Sequence, residues 1–231
     1  MERVLEELDG KALIEFITST PRHTSVIIDP ARQEPRDIYR LMTGLIVPRP
    51  IAFVSSLSPE GVRNLAPFSF FTAISANPPV VCFAPMIRGR DAKTKDTLRN
   101  VEATKEFVVN IVCEEIVSRM NATSADFPPE IDEFAESGLT PIPSDLIKAP
   151  RVAESPASME CTLSSIVHVS TKPLGGSLVL GEVLRFHVND DLINRFVVDP
   201  SRLHAIGRME GSIYTRTTDR FELVRPVWPT T

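Results

Sequence analysis

Cysteine is scarce: three residues in 231, Cys82, Cys113 and Cys161, odd in number and widely spaced. No CxxC or other metal-type pair occurs, so neither a disulfide framework nor a thiolate metal centre is indicated. Cys82 and Cys113 lie in apolar runs and read as buried thiols, which fits a reducing compartment. No apolar run approaches the length needed to cross a bilayer. The stretch MERVLEELDG lacks a basic region followed by an apolar segment, so a secretory signal is not expected. A basic excess is also missing: 25 Lys and Arg stand against 30 Asp and Glu, and the pI is near 5.5. That balance argues against nucleic acid, whose binders carry a basic surface. The expectation is a cytoplasmic protein with neither a membrane nor a nucleic-acid partner.

Catalytic signatures are absent as well. There is no GxSxG, no HExxH, no GxxxxGKS or GxxxxGKT, and no GxGxxG after a strand. None of His23, His168, His187 and His204 stands beside a serine or cysteine in a nucleophile motif. A hydrolase, a zinc enzyme, a P-loop NTPase and a Rossmann domain are therefore unsupported. No catalytic residue and no metal ligand is assigned. What remains is chemistry that needs no side-chain nucleophile, or binding without chemistry.

What is present is β structure punctuated by proline. Twenty prolines stand against ten glycines, and 42% of residues are hydrophobic. The length suits one large domain or one with accessory pieces. Residues 49–85 organise the chain, with β-branched and aromatic runs at 51–57, 68–74 and 80–84 reading as strands. Ser58-Pro59-Glu60-Gly61 suits a tight turn, since Pro59 presets φ and Gly61 tolerates positive φ. Between the first two runs lies Asn64-Leu65-Ala66-Pro67-Phe68-Ser69. Composition alone favours a strand-edge bulge with a surface proline. The same residues can also bring backbone donors and an apolar wall to a flat ligand.

The rest of the chain adds short helices and more strands. Residues 1–19 carry apolar positions at helical spacing, and Pro21 and Pro30 mark an extended arm after them. Residues 38–42 form a short amphipathic turn. Residues 97–104 read as a helix with Asp96 or Thr97 as its N-cap. The polar loop before it could hold an anion through helix N–H groups and Lys or Arg, or be an ordinary capped surface helix. A strand follows at 106–112 and helices at 114–120 and 130–136, with Gly138 as a left-handed stop. The acidic run Glu130, Asp132, Glu133 and Glu136 reads as a solvated helix face rather than a metal site. Residues 141–157 carry four prolines and read as an irregular connection. Residues 158–169 and 177–188 form a long hairpin across Gly175-Gly176. Trp228 is placed to pin the C-terminus.

Several segments together resemble the flavin reductase family of FMN-binding split β-barrels, in particular its flavoredoxin-like branch. They are PRPIAFVSS at 48–56, NLAPFSFF at 64–71, NPP at 77–79, Lys95-Asp96-Thr97, Phe107–Ile111, Gly138-Leu139-Thr140, Gly181-Glu182-Val183 and Arg208. The ordered set covers most of the chain from about Ile38 onward.

The resemblance implies a mainly β fold with short helices, a Greek-key split β-barrel. It divides the chain into an N-terminal helix and arm, 1–37, and an FMN-binding barrel domain, 38–231. It implies non-covalent FMN, with NAD(P)H as co-substrate and hydride passing to the flavin, so that the protein supplies stacking, orientation and electrostatics. Electrons would go on to free flavin or another acceptor. The alternative is a flavoredoxin-type carrier reduced by an electron-transfer protein partner, without a nicotinamide site. Asn64, Ala66, Pro67, Phe68 and Ser69 would line the flavin ring and ribityl chain, helped by Ser55 and Ser56. Thr94, Lys95, Asp96 and Thr97 would cradle the phosphate, and Arg208 would complete the charge balance. His187 would face the nicotinamide or flavin pocket, or else be a barrel-wall residue. The family pairs its subunits, so a homodimer is expected.

Overall fold

The computed structural model describes residues 25–228, so the helix expected over residues 1–19 lies outside the described residues. The chain divides into two units at Glu34 and Pro35. In the first, the described residues carry no helix or strand apart from a 3-10 turn, Pro30–Arg32. Asp29 caps that turn by accepting from the Ala31 N–H at 3.0 Å.

The second unit opens with α1 (Pro35–Leu45), then β1 (Ala52–Leu57), β2 (Arg63–Phe68), β3 (Phe71–Ala76) and β4 (Pro79–Phe83). Next come α2 (Asp96–Thr104), β5 (Glu106–Ile111), α3 (Val117–Ala122) and α4 (Glu133–Ser137). A two-residue ladder joins β6 (Pro141–Ile142) to β7 (Arg151–Val152), inside the connection expected to be irregular. The long hairpin is β8 (Ala157–His168) and β9 (Ser177–Val188), paired over most of its length with two bulges. A small ladder of β10 (Ile193–Asn194) and β11 (Val197–Val198) precedes α5 (Pro200–Leu203). The last ladder is β12 (Ile206–Arg208) with β13 (Tyr214–Arg216). No helix among the described residues is long and apolar enough to cross a membrane.

Seven strands form one antiparallel sheet in the order β2-β1-β5-β8-β9-β4-β3. The fold is thus mainly β with short helices. Its two edge strands, β2 and β3, are consecutive in the chain and joined only by Ser69 and Phe70. The three steps from Phe68 to Phe71 span only about 10 Å when fully extended. The sheet therefore curls until its edges approach, and the Ala84 N–H carries the β3–β4 ladder one step further by donating to the Phe70 carbonyl at 2.8 Å.

β1 is buried on both faces, which explains its unbroken apolar run. Ala52 and Val54 pack with Phe68, Phe83 and Phe107 in one cluster. Ile51 and Phe53 pack with Ile116, Met120 and Phe134 in the other, under α3 and α4. The three phenylalanines of the first cluster stack at centroid distances of 5.0 and 5.3 Å. Gly181 on β9 makes room for them, since a Cβ there would run into the Phe107 ring. All three cysteines are buried free thiols, and burial pushes each thiol pKa up, that of Cys113 to about 11.

Three local expectations are revised. Residues 63–68, expected as a strand-edge bulge, form the regular edge strand β2 in unbroken register with β1, and Pro67 is tolerated there because an edge strand can spare an N–H. The N-cap of α2 is Lys95, with Asp96 already in the first turn. Trp228 pins nothing among the described residues, being 88% exposed.

Candidate functional site

Two cavities border β2 and Ser69, on the β2 side of the seam between the sheet's edges. They have volumes of about 160 and 550 Å³, and Pro67 and Ser124 stand in the walls of both. Together they make one two-lobed cleft.

β2 supplies Asn64, Ala66, Pro67 and Phe68 to the smaller lobe, and the start of α2 supplies Lys95, Asp96 and Thr97. Pleating and register place them: β2 lies antiparallel to β1, and α2 packs against both strands. Thr97 Oγ1 donates to Asn64 Oδ1 at 2.6 Å, and Asn64 Nδ2 donates to Glu133 Oε1 at 2.9 Å. The Leu65 N–H donates to Glu133 Oε2 at 3.0 Å. A buried network thus ties β2 to α2 and α4. Burial drives the Glu133 carboxyl up to about 7, against the pull of its own backbone, Leu65 and Asn64 donors, with Asp96 pushing the same way.

Cations gather at the mouth of this lobe. Arg88 bridges to Asp96 at 3.1 Å, and Lys95 reaches Asp126 at 3.6 Å. Arg88 Nε is buried without a hydrogen-bond partner. No side chain caps α2, so its first-turn N–H groups are not claimed by a capping oxygen. Thr94 lines neither lobe, and its carbonyl accepts from Arg99 at 3.0 Å.

The larger lobe takes Pro67 and Ser69 from the seam, Arg208 and Tyr214 from the last ladder, and Arg36, Tyr39 and Arg40 from α1. Arg49 stands beside them, almost fully buried. Its Nε donates to Ser69 Oγ at 3.2 Å, and its backbone exchanges two hydrogen bonds with Arg208. Arg208 lies over the Tyr214 ring at 4.4 Å and donates to its hydroxyl and to the Gly211 carbonyl. The Tyr214 hydroxyl donates to Asn121 Oδ1 at 2.9 Å.

Ser55 and Ser56 are fully buried and line neither lobe. Ser56 backs the wall, accepting from Asn100 Nδ2 at 3.2 Å and lying 3.3 Å from Asn64 Oδ1. Ser55 donates to the Pro150 carbonyl. His187 also stands outside the cleft, with Nε2 2.6 Å from Glu160 Oε1. Burial pushes Glu160 up, but the Asp145 and Leu146 N–H groups and His187 outweigh it and hold the carboxylate below its usual range. Asp145, Glu160 and His187 bring ligand-type atoms within 4.8 Å of one another. Asp145, however, is bound to Arg185 at 2.6 Å.

The comparisons with known proteins follow the seam. A model of the flavin reductase like domain matches residues 43–207. The chain belongs to the flavin reductase like domain family. An uncharacterized protein of Aquifex aeolicus is 42% identical over 181 residues, covering 78% of this chain and 89% of its own. Nitrilotriacetate monooxygenase component B from Bacillus cereus has a similar structure, with a TM-score of 0.83 at 37% identity. That match covers 87% of this chain and all of the other. The 2-nitrobenzoate 2-nitroreductase of Pseudomonas fluorescens aligns with a TM-score of 0.79 at 34% identity, over 89% and 99% of the two chains.

Many lining residues of this family member carry no site signal in the sequence, and Glu133, Arg88, Arg49 and Ser124 show why. Glu133 was hidden in a run read as a solvated face; its burial comes from α4 packing on β2. Arg88 belongs to a basic loop whose target the sequence does not show. Arg49 lies in the Pro-Arg-Pro entry to β1, where neither flanking proline reveals a buried guanidinium. Ser124 follows α3 with no motif around it.

Proposed function

We propose that this protein is an FMN-dependent oxidoreductase of the flavin reductase type, taking electrons from NAD(P)H and passing them to free flavin or another acceptor. The observation that carries the proposal is the two-lobed cleft at the sheet seam. Nine of the twelve residues expected at the cofactor line it: Asn64, Ala66, Pro67, Phe68, Ser69, Lys95, Asp96, Thr97 and Arg208. The larger lobe falls in the range of about 300 to 1,000 Å³ usual for small-molecule sites. The donor set fits a flavin mononucleotide: a buried guanidinium N–H that makes no hydrogen bond and an uncapped helix start on one side, an apolar seam on the other.

In this reading Lys95, Arg88 and the first turn of α2 hold the phosphate, since helix N–H groups and cations favour an anion there. Asp96 orients Arg88 rather than touching the phosphate. Ala66, Pro67 and Phe68 form the wall against the ring, and Ser69 and Arg208 meet its polar edge. Asn64, already bonded to Thr97 and Glu133, keeps β2 at a fixed distance from α2. When bound, a flavin supplies two-electron chemistry between a nicotinamide and an acceptor, and the chain supplies orientation and exclusion of water. The curled sheet is read as the Greek-key split β-barrel of the family, borne on residues 38–231. The working unit is read as a homodimer, because β3 and the outer half of β9 leave Ile74, Leu184 and Phe186 largely in solvent.

Titration of the purified full chain with FMN, FAD and riboflavin tests this, followed by the flavin's visible absorption after removal of free ligand. Retention of FMN is expected, with riboflavin held less tightly. Retention of none of the three would overturn the reading.

A further inference from the structure

We propose that the α1 side of the larger lobe is a binding site for the anionic group, carboxylate or phosphate, of a second substrate with a planar body. Arg36, Arg40 and Arg49 would hold that group beside the flavin. The flavin as neighbour rests on the proposed function; the anion site itself rests on three further observations.

The first is charge. Four guanidinium groups, those of Arg36, Arg40, Arg49 and Arg208, line the lobe against one carboxylate, Glu210. Among the described residues only Arg40 of these four has a carboxylate partner, Asp37 at 3.4 Å, and that pair is exposed and weak. The smaller lobe differs, because its cations Arg88 and Lys95 already face Asp96 and Asp126.

The second is burial. Arg49 is 4% exposed, yet every partner it has is neutral. Its Nε donates to Ser69 Oγ at 3.2 Å, one Nη to the Thr43 and Ile46 carbonyls, and the other to the Met209 carbonyl at 2.7 Å. Those four bonds use four of the five N–H groups of a guanidinium. One N–H and the whole positive charge remain unanswered. Burial lowers the Arg49 pKa, Tyr39 opposes this and Arg208 adds to it. An uncompensated buried cation is costly, and an arriving anion relieves that cost. The planar fork of arginine matches carboxylate and phosphate geometry.

The third is the remaining wall. Tyr39, Tyr214 and Pro67 offer aromatic and apolar surface to a flat body, with the core residues Ile51 and Met120 behind them. An aromatic carboxylate serving as acceptor and a phosphate-bearing dinucleotide serving as donor share this chemistry.

The test uses the full chain saturated with FMN. Binding of benzoate, its neutral isostere benzamide and 2′,5′-ADP is measured by calorimetry, in the wild type and in the double variant Arg36→Gln/Arg40→Gln. Both arginines are exposed on α1, so the fold tolerates the change. The expected result is that benzoate or 2′,5′-ADP binds and that benzamide is about tenfold weaker than benzoate. The bound anion should then lose about five- to tenfold in the double variant, with FMN retained. Benzoate as the better ligand marks an aromatic carboxylate, and 2′,5′-ADP as the better ligand marks a phosphorylated nicotinamide donor. Absence of binding by both anions, or equal binding by the double variant, overturns the proposal. So does a double variant that weakens FMN more than riboflavin, because the arginines would then hold the cofactor's own phosphate. Benzoate binding by a protein that retains no flavin would sink the flavin reading and leave the anion site standing.

Discussion

Glu133 shows at the scale of one residue what a sequence leaves out. Its neighbours Glu130, Asp132 and Glu136 argue for a wet acidic face, and only the packing of α4 on β2 turns this one carboxyl inward. Its pKa is raised from the 4.5 of an ordinary glutamate to about 7, chiefly by burial. Between those values the folded protein holds a proton that the unfolded chain has released. Stability from this group is therefore full below about pH 4.5 and falls as pH rises towards 7, by roughly 3 kcal/mol at most. Asp96 and Asp132 add negative charge nearby, while Leu65 and Asn64 donate to the ionised form. Glu133→Gln should flatten the fall in Tm across that window, read by thermal melts at matched ionic strength. A variant whose pH profile overlays the wild type would show that Glu133 is not the group responsible. The tight His187–Glu160 contact was equally invisible in the sequence, where a histidine near the end of a strand has no visible partner.

Among the elements, α2 and the long hairpin were legible because their signals are local, whereas α1 read only as a short turn at 38–42 and α3 and α4 were expected three residues early. Gly138 at φ +65° ends α4, and Gly61 at φ +88° closes the β1–β2 turn, as the residue types require. β2 was legible as a strand edge but not as a regular strand, since Pro67 and the small residues around it read as a bulge. Only the edge position explains why the proline is tolerated. The start of α2 was legible as a helix start, though its composition fits a capped surface helix as readily as an anion site, and its cap falls on Lys95. The prediction at this scale concerns that helix start. Lys95→Ala should weaken FMN about tenfold while changing riboflavin little, because only FMN carries the phosphate. Fluorescence titration with both ligands measures the two affinities. An equal loss for both would move the phosphate away from α2.

At the scale of the molecule, strand order was not legible at all. The sequence offers runs and turns, whereas the curl follows from β2 and β3 being neighbours in the chain and opposite edges in the sheet. That curl makes the cleft, and it also leaves apolar positions outward: Ile74 at 52%, Leu184 at 43% and Phe186 at 57% exposure. Outward apolar groups on strands are what a partner subunit would cover. Sedimentation velocity at micromolar concentration should therefore give a homodimer, and a stable flavin-loaded monomer would contradict the paired reading.

The central claim is that the cleft holds a flavin which a nicotinamide reduces directly. Its most direct test is anaerobic mixing of the FMN-loaded protein with NADH and, separately, NADPH, following the flavin's visible absorption band in a stopped-flow instrument. The account predicts that at least one of the two bleaches the band in a saturable, single-turnover phase. A protein that retains FMN yet keeps its full absorption with both nucleotides would contradict the reductase and leave a carrier reduced by another protein.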